Sequence, residues 1–581
     1  MGSRAAADMI VDVLAEAGIG FFFGLPGGST MELYKALHGR ESQIKVVVPR
    51  DEQTASCMAD MHGKLTGRPG VFAAQGGFAG STGMFGVIEA YLAHSPMVVL
   101  TELSEADCFN VHGPIQSGIG TYGSFDLPSI FKNNTKYSSV AHYPREAVMS
   151  VQLAIKHATA GSPGPTAVLM RSGALKGSVE EHGHPRIYDT ARYLTSAKTC
   201  PPPGALDAAA EMLAKARRPV IVAGNGVRIA GAFEALKEIA ELLGAPVATS
   251  TLGKGTIAET HPLVAGPMGY TGTSLANDTV GLADVLLVVG CRLKPQETCF
   301  GHPKLIDPRR QQIVQIDIEA RNASWTTPAS LALVGDADLA LKMLLERLRG
   351  RVDRDAAAER TRSFAAVREL RGPLTHAATR SQSVPIYPQR AVREVQEVAP
   401  VAAVICSDAG NNRHWMNHYF QTKRANSYFG TGGLAGVSWS MAAALAAQII
   451  EPERPAIGVC SDGGFAMQMH VLLTAAQYGA APIYVVLNNS ALGMTAQGMG
   501  SRSVGSHFPE TDYAAIARAC GAFAERASRP GEVKAALSAA LAQDKPAVID
   551  VVIDPAQDMK KELYSPLAVE VLSGAPTARA Y

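Results

Sequence analysis

The sequence lacks any C-x-x-C pair. Its eight cysteines, Cys57, Cys108, Cys200, Cys291, Cys299, Cys406, Cys460 and Cys520, are scattered, which removes the spacing of a zinc site or redox disulfide and suits a reduced, cytoplasmic setting. It also lacks an excess of either charge. Lys plus Arg (53) nearly cancels Asp plus Glu (52), leaving a net +1, so the basic surplus of a nucleic-acid binder is missing. No apolar run approaches the ~18 residues that span a bilayer. The opening MGSRAAADMIVDVLAEAG mixes Asp and Glu among its apolar residues instead of building a signal-peptide core. No short-period repeat is found. What is present is a 581-residue chain, 47% hydrophobic, with 56 Gly and 34 Pro, enough for about three domains of ~150–200 residues. A cytosolic protein with a small-molecule ligand, and with neither nucleic acid nor membrane as partner, is the expectation.

The pattern along the chain is α/β throughout. Met9, Ile10, Val13 and Leu14 mark one helix face that Gly18 ends, and the apolar run from Ile19 to Phe23 leads into GLPGG at 24–28. KVVVPRDEQ, GVFAAQGG and PMVVLTEL repeat this alternation, and short all-apolar runs of this kind read as strands buried in a parallel sheet with helices on both faces. Residues 1–178 form a first domain on this reading. After PPP at 201–203, the segments RPVIVAGNG, APVATSTL, ADVLLVVGCR and QQIVQIDIEA supply the strands of a second, at 200–350. The charged stretch 351–384 reads as a solvated helical linker. A third domain, 385–581, has strands in VAAVICSDAG, RPAIGVCSDGG, APIYVVLNN and KPAVIDVVID. The fold class is three doubly wound parallel-sheet domains.

Asp462 follows one expected strand and Asn489 the next, so both stand at strand carboxyl ends, the edge where open parallel sheets bind ligands. Mg2+ is a hard octahedral ion that takes oxygens from a carboxylate, an amide and a substrate diphosphate. Gly463 and Gly464 let the main chain approach a phosphate, and the next helix offers free N–H groups to it. Asp-Gly and Asn-Asn are also common turn chemistry, so the pair alone leaves an ordinary turn open.

The segment from Asp462 to Asn489 resembles the thiamine-diphosphate motif of the acetolactate synthase-like family, GDG followed about 27 residues later by NN. Four further segments resemble that family in order: GLPGGSTMELYKAL (24–37) its GYPGGA loop, PRDEQTASCMADMHGKLTG (49–67) its HE-x-x-A segment, DAGNNRHW (408–415) its D-x-GQHQMW, and GTGGLAGVSWSMAAALAA (430–447) its GGLGTMGYG segment. The resemblance implies the thiamine-diphosphate-binding fold of pyrimidine, middle and diphosphate domains. It implies that Glu52 hydrogen-bonds N1′ of the aminopyrimidine, that the Ala435 carbonyl accepts from that ring, and that Val437 props the two cofactor rings apart. Gly410, Asn411 and Asn412 would line the diphosphate with Gly463 and Gly464, and Asp462, Asn489 and the main-chain oxygen of Ala491 would hold Mg2+. The site would be shared between subunits of a homodimer or homotetramer, with Glu52 and Asp462 from different chains.

The implied reaction is decarboxylation of a 2-oxo acid such as pyruvate and ligation of the resulting enamine to a second carbonyl, an aldehyde or a ketone. The substrate pocket would draw on Gly27, Gly28, Gln75, Phe78, His112, Met494 and Gln497. His94, His414, His470 and His507 are further histidines near it, with His112 preferred as a proton carrier. The chain also departs from the family. Tyr122-Gly123-Ser124 replaces a Phe-Gln-Glu stretch, and QGGFAGST (75–82) replaces TSGPGATN with a glycine-rich loop like that of benzaldehyde lyase. A non-decarboxylating 2-hydroxy-ketone lyase is therefore an alternative. Sulfoacetaldehyde acetyltransferase shares AHSP (93–96) and the GP-x-GY-x-G pattern at 266–272. FAD in the middle domain stays open: Gly224 and Gly226 suit a nucleotide, but CRLKPQE (291–297) keeps only Arg292 of the ARFDDR segment. An FAD-linked oxidase and a non-catalytic subunit are the remaining readings.

Overall fold

Three six-stranded sheets, every neighbouring pair parallel, organise the chain. The computed structural model describes residues 2–104, 112–180, 182–195 and 197–572; Cys108 lies outside them. In the first sheet the strands stand in the order Lys45–Val47, Phe21–Gly24, Gly70–Ala74, Met97–Leu103, Pro165–Arg171 and Tyr137–Ala141. In the second the order is Val264–Pro267, Val247–Thr249, Pro219–Ala223, Val285–Val289, Gln312–Asp317 and Leu331–Val334. In the third it is Tyr428–Gly430, Val404–Ser407, Ala456–Ser461, Ile483–Asn488, Ala547–Val552 and Phe523–Ala527.

The central strands are buried along their whole length. Val71, Phe72 and Ala73 in the first sheet, Leu286 and Leu287 in the second, and Val485 and Val486 in the third are fully covered. Helices on both faces leave no solvent side, so these strands are apolar at consecutive positions instead of alternate ones. The edge strands differ. Tyr137–Val140 is only half-buried, and Phe523–Ala527 carries exposed Glu525.

The chain packs as two compact units. One joins residues 1–197 with 431–452 and 468–480, and the other joins 198–430 with 453–467 and 481–581. The helix Trp439–Ile450, encoded in the third region, therefore belongs with the first sheet, where it lies against the helix Glu52–Thr66. In the second unit, the charged stretch after residue 350 is helical over Arg354–Arg371, as its composition implies. It is docked, not free: Phe364 joins the core of the second sheet, and Arg360 donates to the Leu243 carbonyl at 2.7 Å.

Leu287 sits mid-strand in the second sheet with no exposed surface. Leu287→Ala should cost roughly 2–5 kcal/mol. Calorimetric unfolding measures it, and a transition unchanged by the substitution would contradict the central placement.

Candidate functional site at the sheet edges

In the second unit, three neighbouring strands of the third sheet, Val404–Ser407, Ala456–Ser461 and Ile483–Asn488, run parallel in near-equal register. Their carboxyl ends deliver Gly410–Asn412, Asp462–Gly464 and Asn489–Ala491 to one edge. Asp462 is fully buried. Its Oδ1 accepts the Gly463 N–H at 2.8 Å and its Oδ2 accepts the Ala491 N–H at 3.1 Å, so the carboxylate and the turn after the next strand meet. Burial pushes the Asp462 carboxyl up, against the pull of the surrounding backbone N–H donors. A divalent cation beside such a group would hold it ionised.

The two asparagines of that turn divide their roles. Asn488 is committed to the fold, donating to Asp550 at 2.9 Å and to the Thr511 carbonyl at 3.2 Å. Asn489 lies at the edge, and a Cβ on Gly493 would stand 2.7 Å from Asn489 Nδ2 and 3.2 Å from Asn411 Nδ2. Asn411 Oδ1 and both side-chain polar atoms of Asn412 are buried without a hydrogen-bond partner among the described residues. Buried amides cost stability unless something satisfies them. One carboxylate, an amide oxygen, a carbonyl and unsatisfied amides beside Gly463 are a donor set that fits Mg2+ and a diphosphate. Gln497 is tied in place: it accepts from Asn411 Nδ2 at 3.1 Å and donates to the Gln557 carbonyl at 2.9 Å. Met494 packs in part against the core of the third sheet.

The first unit repeats the principle at the edge of the first sheet. The strands Phe21–Gly24, Gly70–Ala74 and Met97–Leu103 end side by side and bring Gly27, Gly28 and Gln75 together. At their centre is Glu102, buried at 3% exposure, which accepts the Ser29 N–H and the Ser104 hydroxyl, each at 2.9 Å. Gly28 has φ +53°, and a Cβ there would lie 2.2 Å from Glu102 Oε1, so glycine is required. Glu102 belongs to no motif that the sequence marks; its signal is an acid near the carboxyl end of the otherwise largely apolar strand Met97–Leu103. Gln75 Nε2 donates to Gln116 Oε1, and Phe78 is 40% exposed on the short helix that follows.

Glu52 is half-buried at the first position of the helix Glu52–Thr66, and Thr82 Oγ1 donates to it at 3.5 Å. The neighbouring Gln53 Nε2 donates to Ser438 Oγ at 3.2 Å, which places the 435–438 segment beside the start of that helix. Ala435 and Val437 are both half-buried. The histidines separate. His94 bonds Ser162 at 2.9 Å, and His414 is buried, with burial holding its imidazole well below its ordinary value. His112 is exposed with its ring 6.4 Å from that of Tyr122, and His507 pairs through its main chain with Ala491. His470 Nε2 reaches Asp51 Oδ2 at 3.0 Å, next to Glu52.

In the second unit, Gly224 and Gly226 are explained by packing. A Cβ on Gly224 would stand 2.2 Å from the Gly290 carbonyl oxygen, and one on Gly226 2.5 Å from Gly290 Cα. The close contact of these two turns accounts for both glycines, which therefore carry no argument for a nucleotide.

Asp51 caps its helix by accepting the Thr54 N–H at 2.6 Å. Burial pushes its carboxyl up, but the bonds from His470 and Thr54 outweigh burial and hold it below its ordinary 3.8. A lowered carboxylate stabilises the fold above the unfolded-state value and loses that contribution as pH falls through the folded-state value. Asp51→Asn should therefore lower the thermal midpoint at neutral pH, and the gap to wild type should close below about pH 3.8. A gap that persists in acid would show that the charge of Asp51 is not its source.

Comparison with known proteins agrees with this geometry. Family models described as thiamine pyrophosphate enzyme match in three parts: the N-terminal TPP binding domain at 4–119, the central domain at 206–344 and the C-terminal TPP binding domain at 408–551. The "Probable acetolactate synthase large subunit" of Methanocaldococcus jannaschii is 31% identical over 564 residues, covering 95% of this chain and 92% of the relative. Acetolactate synthase isozyme 3 large subunit of Escherichia coli (strain K12) is 28% identical over 570 residues, covering 95% and 96%. Sulfoacetaldehyde acetyltransferase of Castellaniella defragrans is 27% identical over 596 residues, covering 98% and 95%. Three matched domains in order and full-length relatives show that the chain belongs to the thiamine-diphosphate-dependent enzymes of the acetolactate synthase-like family.

Proposed function

We propose that the protein is a decarboxylating carboligase that takes a 2-oxo acid such as pyruvate, releases CO2 and joins the remaining two-carbon fragment to a second carbonyl compound. The observation that carries this reading is the meeting of buried Asp462 with the Asn489–Ala491 turn, beside the unsatisfied Asn411 Oδ1 and the unsatisfied Asn412 amide. The acetolactate synthase large subunits that cover nearly the whole chain support it. When bound, thiamine diphosphate supplies an acidic thiazolium carbon that can store the electron pair of a broken carbon–carbon bond.

The chain's own residues would hold that group and manage protons. Asp462, the Asn489 amide oxygen and the Ala491 carbonyl would ligate Mg2+, while Gly410, Asn411, Asn412, Gly463 and Gly464 line the diphosphate. Glu52 would hold a proton at N1′ of the aminopyrimidine, the general acid–base role that a carboxylate at hydrogen-bond reach can fill. The Ala435 carbonyl would accept from the same ring, and Val437 would separate the two rings. By the family resemblance, the acceptor side would draw on Gly27, Gly28, Gln75, Phe78, His112, Met494 and Gln497. Such a site is complete only in a homodimer or homotetramer, in which subunits share it. Among the described residues no helix is long and apolar enough to cross a membrane.

A 2-hydroxy-ketone lyase that releases no CO2 is the second reading. It is favoured by the Gln75–Gln116 pair and exposed Phe78 on the glycine-rich loop at 75–82, and separately by Tyr122-Gly123-Ser124 standing in place of the family's glutamine-bearing stretch.

NMR of the purified protein with thiamine diphosphate, Mg2+ and pyruvate separates the two. Acetolactate or acetoin with CO2 is the expected outcome; untouched pyruvate with cleavage of an added 2-hydroxy ketone would replace the first reading by the second. Sulfoacetaldehyde belongs in the same panel of donors, since one relative is a sulfoacetaldehyde acetyltransferase. Glu52→Gln should lower turnover by about 10²–10⁴-fold while cofactor affinity, measured by calorimetry, stays within about threefold, as one neutral hydrogen bond replaces a charged one. Full turnover in that variant would remove Glu52 from the proton path.

A further inference from the structure

Within the first unit, the helices Glu52–Thr66 and Met84–Ala93 enclose three charges that the proposed reaction does not use. The side chains of Lys64, Asp60 and Glu89 are 5%, 0% and 1% exposed. Lys64 Nζ lies 2.9 Å from both Asp60 Oδ2 and Glu89 Oε1. Trp439 Nε1 donates to the same Asp60 oxygen at 2.8 Å, and Lys64 Nζ stands 4.3 Å from the centre of the Trp439 ring. The lysine therefore holds two carboxylates, each with a second set of donors.

The second set on Glu89 is unusual. Its carboxylate accepts four consecutive main-chain N–H groups, from Gly432 and Gly433 on Oε1 at 3.2 Å each, and from Leu434 and Ala435 on Oε2 at 2.7 and 3.2 Å. Burial pushes the Glu89 carboxyl up, but Lys64 and these N–H groups outweigh it and hold the group below its ordinary value. Successive N–H groups converging on one anion make a concave nest, here filled by the protein's own side chain.

The clamped loop is strained. Ala435 has φ +57° and Ser438 φ +80°, left-handed values at residues that carry a side chain. Such conformations persist only where the surroundings over-determine them, and they cluster where geometry matters to function. Gly436 between them is pinned as well: a Cβ there would lie 2.1 Å from the Phe85 ring. Three buried charges are a poor way to gain stability alone, because apolar residues of similar volume do as well or better. What the charges add is direction, and it is aimed at residues 432–435.

The geometry points to Glu89 as a positioning residue for the cofactor's aminopyrimidine: its carboxylate, oriented by Lys64 and Asp60, locks the 432–435 main chain and so fixes how Ala435 and Val437 face the ring. The inference rests on the reading that Ala435 and Val437 hold that ring. It adds a buried triad, reaching from the helix that begins at Glu52 to the loop that carries Val437, which touches neither cofactor nor substrate itself.

Two ligands measured by calorimetry on the full-length protein test it: thiamine diphosphate with Mg2+, and inorganic diphosphate with Mg2+. Glu89→Gln should weaken thiamine diphosphate by about tenfold or more, the equivalent of one charge-assisted hydrogen bond. Inorganic diphosphate, which has no ring to be oriented and needs only the Asp462 edge, should change by less than about twofold, within the error of additivity for groups that share no partners. Glu89→Asp, which keeps the charge, should recover part of the loss. Equal weakening of both ligands, or unchanged affinity for thiamine diphosphate, overturns the proposal while leaving the proposed reaction standing. A wild-type protein that binds inorganic diphosphate but not thiamine diphosphate overturns the parent reading instead. Should Glu89→Gln fail to fold, Trp439→Phe removes the N–H that steadies Asp60 together with part of the buried ring beneath Lys64. The same split between the two ligands, at roughly threefold, is expected there, and its absence overturns the proposal.

Discussion

Parallel pairing carries every strand's carboxyl end to the same edge of a sheet, and the rest of this structure depends on that constraint. Residues scattered over the chain, such as Asn411, Asp462 and Asn489, become neighbours because the strands before them are hydrogen-bonded side by side in near-equal register. The same rule gathers Gly27, Gly28, Gln75 and Glu102 at the edge of the first sheet. Burying both faces of each sheet makes the strands apolar throughout, so polar chemistry is left to the strand ends.

Buried charge marks the places where geometry is held most tightly. Asp462 is fully covered and meets backbone N–H groups from its own turn and the next. Glu102 anchors the glycine loop through the Ser29 N–H, and Glu89 anchors the 432–435 loop through four N–H groups. In each case a carboxylate fixes main chain that no helix or strand ladder could hold. Turns with exposed N–H groups are the segments that bind anions and cofactors, so the same acids that orient the loops shape what those loops can bind.

Much of the fold was legible because it depends on local pattern. The strands at 70–74, 97–103, 219–223, 285–289, 456–461 and 483–488 are short, largely apolar runs that the sequence pattern marks as strands. The edge strands Tyr137–Ala141 and Phe523–Ala527 carry polar residues that blur the strand pattern, and the edge strands Leu331–Val334 and Tyr428–Gly430 are only four and three residues long; the pairing of each is set by a neighbour distant in sequence. The buried strand Pro165–Arg171 was passed over, although its residues are as apolar as those of its partner. The charged helix Arg354–Arg371 was expected, but its docking through Phe364 was not, because one buried aromatic leaves the composition unchanged.

For the site, the sequence by itself determined which residues stand at strand ends and that Asp462, Asn489 and the glycines beside them carry the family's motif, because turn chemistry and strand period are local. Only the tertiary structure decided that Asn488 serves the fold while Asn489 stays at the edge, that Gly224 and Gly226 are consumed by backbone packing, and that the third region's helix Trp439–Ile450 joins the first unit. It also decided that Glu89, Lys64 and Asp60, unremarkable on two apolar helices, converge on one loop. The physical reason is common to all of these. A side chain's partner is chosen by packing between elements far apart in the chain, and that choice leaves no mark on the residues around it.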